Sequence, residues 1–323
     1  MIKLHYCQRK EEICKAVAKK HKERNQFMKK TERKKYLRCI IAVGISALML
    51  LCSITGVSAA EQTAEIGYLS GQAERAVDVR VKVDGSLYGG DVFLKNGATY
   101  VGLRQFANRL GADSVSWTDK TKTAKVTGAG LTLTVSHKAG YMEANGRYLW
   151  LGGGSIIKNG TMYVPIRAIC KAFGYNVSWS GSNKVASAVK GSGIIESGSS
   201  YYNSEEVLWL SRIIHAEAMG ESLSGKIAVG NVVLNRKASS QFPNTVYGVI
   251  FDKVGGVQFT PVANGAIYNT PNTDSIIAAK LCLDGCNLLP DALFFVNVKT
   301  AESSWVSDNR EYITVIGNHS FFA

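Results

Sequence analysis

The sequence predicts an α+β protein with two folded domains behind an apolar N-terminal segment. Three observations support this fold class: an internal repeat in the middle of the chain, a Gly/Ser-rich stretch after it, and an amphipathic helix pattern at the start of the C-terminal third. A length of 323 residues is enough for about two domains. With 46% hydrophobic residues, each domain can form its own core.

The first 60 residues have the pattern of an export signal. An uncharged apolar run, Ile40–Val57, follows six closely spaced Lys and Arg residues and precedes Ser-Ala-Ala. This order predicts a secretory signal peptide, or a membrane anchor if it is not cleaved, and Met28 offers an alternative start. Both interpretations make residues 61–323 extracytoplasmic, either secreted or membrane-anchored, because the positive charges stay inside.

The net charge of +13 is distributed unevenly along the chain. Residues 1–60 carry +10, residues 61–200 carry +6, and residues 201–323 carry −3. Binding to nucleic acid requires a basic stripe on a folded surface. Because most of the excess lies in the leader and the last domain is acidic, no nucleic-acid partner is predicted.

The internal repeat relates residues 96–117 to residues 159–179. Each copy has an Asn-Gly turn, a β-type run, a helical pattern, a Gly stop and a strand that ends in Trp. The matched pairs are Tyr100 with Tyr163, Arg104 with Arg167, Gly111 with Gly174, and Trp117 with Trp179. Two copies predict one α+β domain made of pseudo-equivalent halves.

A flexible linker is predicted after the repeat, because residues 191–204 are rich in Gly and Ser. The predicted boundaries are 1–60 for the basic extension and leader, 61–76 for a linker, 77–191 for the repeat domain, 192–203 for the Gly/Ser linker, and 204–323 for the last domain.

The last domain opens with a helix whose buried stripe leads to a carboxylate. Ser204 is the predicted N-cap, and Leu210 and Ile214 share one face. Continuing that face reaches Glu217 and then Glu221. A buried carboxylate has a raised pKa and is able to act as a general acid.

A purely structural role is the alternative for Glu217. In that interpretation the side chain caps a loop amide, or pairs with Arg212 or Arg236. Spacing alone does not decide between the two roles.

Residues 77–191 resemble the copper amine oxidase N-terminal-like domain, also called a stalk domain. Two Tyr-Val-x-x-Arg segments and two Ser-Trp strands carry the resemblance, which implies a spacer or a wall-binding module. No copper chemistry is implied, and His137 is the one histidine of this stretch. The alternative is a solvated surface without a specific partner.

Residues 204–323 resemble the SleB/CwlJ family of cell wall hydrolases. The resemblance rests on six blocks: HAEAMGES, GKIAVGNVVLNR, QFPNTVYGVIF, VQFTPVANG, ALFFVN and IGNHSFF. It implies a lysozyme/transglycosylase-like α+β fold with one catalytic glutamate at a helix end, which is Glu217 here. It also implies that no cofactor is needed.

Six further residues are candidates for substrate binding or for shaping the site. Two match a Gln-containing motif of lytic transglycosylases and two match an aromatic-x-Asn motif, in which Phe replaces the usual Tyr. The remaining two are the second glutamate of the first block and a histidine near the C-terminus. The six are Glu221, Gln258, Phe259, Phe295, Asn297 and His319.

The resemblance implies cleavage of peptidoglycan between N-acetylmuramic acid and N-acetylglucosamine, as a lytic transglycosylase. A hydrolase would normally need a second carboxylate, for which Glu221, Asp252, Asp274 and Asp291 are available. The alternatives are a stem-peptide amidase, although no zinc-site spacing is present, and a non-catalytic wall or spore protein. The target, vegetative wall or spore cortex, and the oligomeric state stay open.

Cysteines are too few after the leader for a disulfide framework. Cys282 and Cys286 in CLDGC either form a local disulfide or remain two free thiols, and Cys170 is predicted to be a buried apolar residue.

Overall fold

Strands dominate the first part of the described residues and helices the second. The computed structural model describes residues 79–297 and 305–323, and all of them belong to one unit, residues 76–323. The predicted α+β class is confirmed by this mixture of helices and strands. The predicted signal peptide or anchor lies outside the described residues. Within those residues, no helix is both long and apolar enough to span a bilayer.

Thirteen strands and two helices precede residue 191 in the described part of the chain. They are β1 (Arg80–Val83), β2 (Ser86–Leu87), β3 (Val92–Lys95), β4 (Ala98–Gly102), α1 (Leu103–Arg109), β5 (Ser114–Thr118), β6 (Thr123–Gly128), β7 (Leu131–Ser136), β8 (Tyr141–Ala144), β9 (Arg147–Trp150), β10 (Ile156–Lys158), β11 (Thr161–Pro165), α2 (Ile166–Ala172), β12 (Tyr175–Ser180) and β13 (Val185–Lys190). Their sheets have the orders β10-β11-β4-β3, β12-β13-β1-β2 and β5-β6-β7-β8-β9.

The two copies of the sequence repeat meet at the centre of the first sheet. Strand β4 of one copy pairs antiparallel with β11 of the other, with Val101 opposite Val164. On either side of this pair, Gly102 faces Tyr163 and Tyr100 faces Pro165, so exchanging the copies preserves the register. Four consecutive residues of β4 and four of β11 are buried, and these strands share a common apolar core with α1 and α2.

Helices dominate the rest of the chain, where they pack beside a three-stranded sheet of order β14-β16-β15. The elements are α3 (Gly198–Tyr201), α4 (Ser204–Ala218), α5 (Leu223–Ala238), α6 (Val246–Phe251), α7 (Thr260–Asn264), a 3₁₀ turn (Ala266–Tyr268), α8 (Thr273–Leu283), β14 (Phe294–Val296), α9 (Trp305–Asn309), β15 (Tyr312–Ile316) and β16 (His319–Phe322).

A glycine allows three of these helices to approach closely. A Cβ atom on Gly230 of α5 would lie 2.9 Å from Ile214 Cδ1 of α4 and 2.8 Å from Cys282 Sγ of α8. Real Cβ contacts are longer than this, so a side chain at this position would push the helices apart. The apolar core around this point buries Leu210, Ile214 and Val233.

The N-cap of α4 is Asn203, so the prediction of Ser204 is wrong by one residue. The Asn203 side chain accepts hydrogen bonds from the backbone N–H groups of Glu205 (2.9 Å) and Glu206 (3.1 Å). Both residue types are good caps. The asparagine carboxamide reaches two of the unpaired N–H groups at the helix start, and Ser204 becomes the first helical residue.

The Gly/Ser segment is packed against its neighbours, which its composition does not predict. Ile195 is buried and its N–H donates to the carbonyl of Ala172 at 3.1 Å. The N–H of Gly198 donates to Asn145 at 2.8 Å, and a Cβ there would lie 2.4 Å from the carbonyl oxygen of Gly146. Composition shows the small residues but not their contacts with the β8–β9 turn. The proposed domain boundaries stay a prediction.

A buried charge network joins the repeat domain to the helical domain. Asp284 follows α8, and its side chain is 2% exposed. It accepts hydrogen bonds from Arg147 of β9 (2.6 and 3.1 Å), from Lys171 of α2 (2.8 Å) and from the hydroxyl of Tyr202 (2.6 Å). Burial alone would raise the pKa of Asp284, but these donors lower it below the usual value for aspartate.

The three cysteines of the described residues, Cys170, Cys282 and Cys286, are free thiols, so the disulfide alternative for Cys282 and Cys286 is wrong. Cys282 lies inside α8, where its thiol donates to the carbonyl of Ile227 at 3.4 Å. Cys286 lies beyond the turn at Gly285, and its carbonyl accepts from Asn231 at 2.7 Å. Each is therefore held by separate contacts with α5. Burial raises the pKa of Cys286 to about 12.

Candidate active site

Glu217 lies in the last turn of α4, where the helix leaves the apolar core. Leu210 and Ile214 on the same stripe are fully buried, and Glu217 is half-buried. Burial raises the pKa of its carboxyl group from 4.5 to about 7. A carboxyl group with this pKa is partly protonated at neutral pH, which is the state that a general acid requires.

Neither arginine considered as an anchor pairs with Glu217. The guanidinium of Arg212 lies 5.1 Å from the ring centre of Trp209. Arg236 donates from Nε to the carbonyl of Leu293 at 2.7 Å. Within the described ranges, the Glu217 carboxylate has no hydrogen bond or ion pair, and burial is the one cause that shifts its pKa.

Glu221 has a contrasting environment only four residues further on. Its side chain is 9% exposed and accepts a hydrogen bond from Asn318 Nδ2 at 2.8 Å. The backbone N–H of Asn318 points to the same carboxylate at 3.4 Å, and His319 Nδ1 lies 3.9 Å from Oε1. Glu221 thus links the α4–α5 connection to the β15–β16 turn.

Gly317 is the residue on which this link depends. Its φ of +61° lies in the left-handed region, and a Cβ there would lie 1.8 Å from Glu221 Oε2. We expect Gly317→Ala to displace the Glu221 carboxylate and to cost about 1–3 kcal/mol of stability. Thermal melting measures the loss.

Gly265→Ala is the matched control for Gly317→Ala. Gly265 has a φ of +82°, but a Cβ there would meet nothing within 4 Å. It therefore carries the backbone penalty without the collision. Equal losses in the two variants would mean that contact with Glu221 contributes nothing.

His319, Phe295 and Phe259 form a cluster with Glu221. His319 is 7% exposed, and the Phe295 ring lies edge-on to it with ring centres 5.3 Å apart. Phe259 lies on the other side of Phe295, with ring centres 6.2 Å apart. Burial lowers the pKa of His319 and so favours the neutral imidazole, while the nearby Glu221 carboxylate opposes this shift.

The two remaining candidates occupy the edges of this cluster. Gln258 precedes Phe259, but both of its amide hydrogens are already engaged, with the carbonyls of Val254 (3.0 Å) and Gly256 (3.1 Å). The amide thus shapes its own loop in this structure. Asn297 directly follows β14 and is half-buried. Among the described residues, Glu217 makes no hydrogen bond or ion pair with this cluster.

Arg236 is a buried cation that lies close to three aromatic rings. It is 5% exposed, and burial lowers its pKa to about 10. Its guanidinium carbon lies 5.0 to 5.3 Å from the ring centres of Phe242, Phe259 and Phe294. Asn235 donates to the carbonyl of Ala292 at 2.9 Å. Asn235 and Arg236 together thus bind the backbone of the segment that leads into β14.

Metal ligands are not clustered in this region. Across residues 79–297 and 305–323, no group of three or more His, Cys, Asp and Glu side chains is placed to hold a metal ion.

Comparison with known proteins assigns each half of the described chain to a family. Residues 220–322 match the family described as cell wall hydrolase, and residues 82–188 match the copper amine oxidase N-terminal domain. The C-terminal domain belongs to the cell wall hydrolase family. Both resemblances read from the sequence are thereby confirmed. Glu217 precedes the matched range of this hydrolase domain, whereas Glu221 and the other candidates lie within it.

Relatives of the hydrolase domain share its sequence over 120 residues. The spore cortex-lytic enzyme of Bacillus cereus is 38% identical, over 37% of this chain and 45% of the relative. That of Bacillus subtilis strain 168 is 37% identical, over 37% of this chain and 38% of the relative. The chain thus spans less than half the length of these relatives.

A solved structure is similar to the same hydrolase domain. It is the catalytic domain of the germination-specific lytic transglycosylase SleB from Bacillus anthracis, 36% identical over 40% of this chain and 100% of that chain, with a TM-score of 0.35.

Proposed function

We propose that the hydrolase domain cleaves the glycan strands of peptidoglycan, with Glu217 as the catalytic acid. The observation that carries the proposal is a half-buried carboxyl group, without a partner among the described residues, whose pKa burial raises to about 7. The relatives named as spore cortex-lytic enzymes and as a lytic transglycosylase support the same chemistry. The six other candidate residues are proposed to bind the strand or to position Glu217.

The reaction follows from one carboxyl group acting twice. Glu217 donates its proton to the oxygen between N-acetylmuramic acid and N-acetylglucosamine. The bond from this oxygen to the anomeric carbon of N-acetylmuramic acid then breaks, and that carbon becomes oxocarbenium-like. The 6-hydroxyl of the muramoyl residue then bonds to that carbon and gives its proton to the Glu217 carboxylate. The products are an anhydro-muramoyl end and a free N-acetylglucosamine end, and the enzyme regains its starting protonation state.

The surroundings of two of the four other carboxylates, Glu221 and Asp252, favour this route over hydrolysis. A hydrolytic glycosidase uses a second carboxylate as base or nucleophile. Glu221 is held by Asn318 at 2.8 Å, and Asp252 accepts a hydrogen bond from the N–H of Val254 at 3.0 Å. A nucleophile that belongs to the substrate needs neither of them.

Analysis of digested wall by mass spectrometry tests the proposal. Anhydro-muramoyl ends are the expected product. Reducing muramoyl ends would indicate a hydrolase, free stem peptides an amidase, and unchanged wall a binding protein. Vegetative wall and isolated spore cortex, digested in parallel, identify the target polymer.

The location and the finer fold are part of the same proposal. The protein would act outside the cytoplasm, associated with the wall and carried there by its leader. The helical domain would have the lysozyme-like arrangement, and residues 77–191 would form a two-repeat stalk. The symmetric register of β4 with β11 supports the two-repeat description.

The pH dependence of cleavage should follow the protonation of Glu217. The general acid must carry its proton, and the protonated fraction falls as the pH rises through about 7. We therefore expect the initial rate of wall cleavage to decline above about pH 7, measured from about pH 5 to about pH 9 with binding monitored separately. A rate that rises through neutrality would contradict the assignment of Glu217 as acid.

A further inference from the structure

Two grooves on the repeat domain are equivalent under the symmetry of the repeat. Each lies beside the arginine at a helix start and the tryptophan at a strand end of one copy. Each also contacts the Asn-Gly turn of the other copy. The residues are Arg104, Trp117 and Gly160 in the first groove, and Arg167, Trp179 and Gly97 in the second.

The pairing of β4 with β11 explains why both copies contribute to each groove. The register is symmetric about Val101 and Val164, so each hairpin turn crosses to the helix of the opposite copy. Both grooves therefore belong to the intact domain.

The tryptophans are exposed to an extent that the fold does not require. Trp117 is 38% exposed and Trp179 is 40% exposed, although large aromatic side chains are usually well buried. The indole nitrogen of Trp117 donates to Asp119 at 3.3 Å. Arg104 donates to the carbonyl of Val115 at 2.8 Å and is otherwise exposed. An exposed indole ring and an exposed cation thus line the first groove.

The first groove is the larger of the two. Its volume is about 740 Å³, within the usual range for ligand sites, against about 130 Å³ for the second. Asp91, Lys122 and His137 line it in addition. The Nδ1 atom of His137 is buried and has no hydrogen-bond partner among the described residues, so a polar ligand group could satisfy it.

From these features we infer that the two grooves bind the glycan strand of peptidoglycan, the first more tightly than the second. The C–H groups of a sugar ring pack against the negative face of an indole, and guanidinium groups bind carboxylates such as those of the stem peptides. A charge of +6 over residues 61–200 suits an anionic polymer. The choice of ligand rests on the function proposed above.

Sedimentation with purified peptidoglycan tests the inference, using the full exported chain with Glu217→Gln so that the polymer stays intact. We expect Trp117→Ala to weaken binding about tenfold, Trp179→Ala to weaken it less, and the pair to weaken it most, since two linked sites bind with avidity. Trp117→Phe should restore part of the loss. Val189→Ala, an exposed apolar residue of the same domain that lines neither groove, is the matched control.

The melting temperature of each variant shows whether a loss of binding is caused by unfolding. Unchanged binding by the double tryptophan variant, with an unchanged melting temperature, would overturn the inference. Binding that disappears when anionic wall polymers are stripped from the peptidoglycan would overturn it as well. If the tryptophan variants lose binding but the unmodified chain cleaves no wall, glycan binding by the grooves is supported and the proposed function is contradicted.

Discussion

Glu217→Gln is expected to reduce the rate of glycan cleavage by about 10²–10⁴-fold and to leave the fold intact. Glutamine keeps the shape of the side chain but cannot deliver a proton. Because the same group both donates and accepts the proton in the proposed reaction, the loss should lie near the upper end of that range. The measurement is the initial rate of wall cleavage beside thermal melting.

The stability of this variant has a defined sign. The folded-state pKa of Glu217 is raised, so the folded protein binds a proton more tightly than the unfolded chain, and stability falls as the pH rises from about 4.5 to about 7. In the Glu217→Gln variant this pH-dependent fall in stability is absent, because glutamine does not ionise. The variant should therefore melt no lower than the parent at neutral pH. An unfolded variant would instead indicate a structural anchor.

Glu221→Gln is the matched control for Glu217→Gln, since it makes the same change at a neighbouring glutamate. Its carboxylate is engaged with Asn318, so we expect a smaller loss of rate together with a lower melting temperature. Normal activity in Glu217→Gln, or an equal loss in both variants with no change in melting, would contradict the assignment of the acid.

Asp284→Ala is expected to destabilise the protein by about 3–5 kcal/mol, because it leaves the buried cation of Arg147 without its partner. The side chain of Arg147 is 8% exposed, so it cannot recover its lost solvation without local opening. Lys171, at 44% exposed, can turn to solvent and should add little. Denaturant unfolding measures the loss in free energy.

Two further variants distinguish the cost of an unpaired buried charge from the loss of an ordinary contact. Arg147→Met combined with Asp284→Leu removes both charges and should be less destabilised than Asp284→Ala alone. Asp119→Ala breaks an exposed ion pair with Lys122 and should change stability little. If Asp284→Ala melts like the parent, the network does not hold the two domains together.

Acid should weaken the same network. The folded-state pKa of Asp284 is lowered, so its contribution is present above the unfolded value of about 3.8 and is lost as the pH falls below it. Asp284→Asn should flatten this acid-dependent part of the stability curve.

Local patterns predicted much of this structure. The apolar stripe through Leu210 and Ile214 placed Glu217 at a helix end beside the core, and the structure gives it the raised pKa that such a position requires. The repeat placed Trp117 and Trp179 on equivalent strands. Both inferences use residues that are close in sequence, or that are related by a fixed offset.

Contacts between distant parts of the chain could not be predicted. Glu221 and Asn318 are 97 positions apart, and Arg147 and Asp284 are 137 apart. No periodicity relates such residues, because the packing of whole elements brings them together. The same limit explains why composition alone missed the contacts of Ile195 in the Gly/Ser segment.

The symmetric pairing of β4 with β11 has a consequence for how the repeat domain could arise. A polypeptide with one repeat would expose β4 as an open sheet edge. Because the register is unchanged when the copies are exchanged, a second identical chain could pair with that edge around the position of Val101 and form a twofold homodimer. The central strand pair therefore has the arrangement of a homodimer interface within one chain, as fusion of a duplicated gene segment would produce.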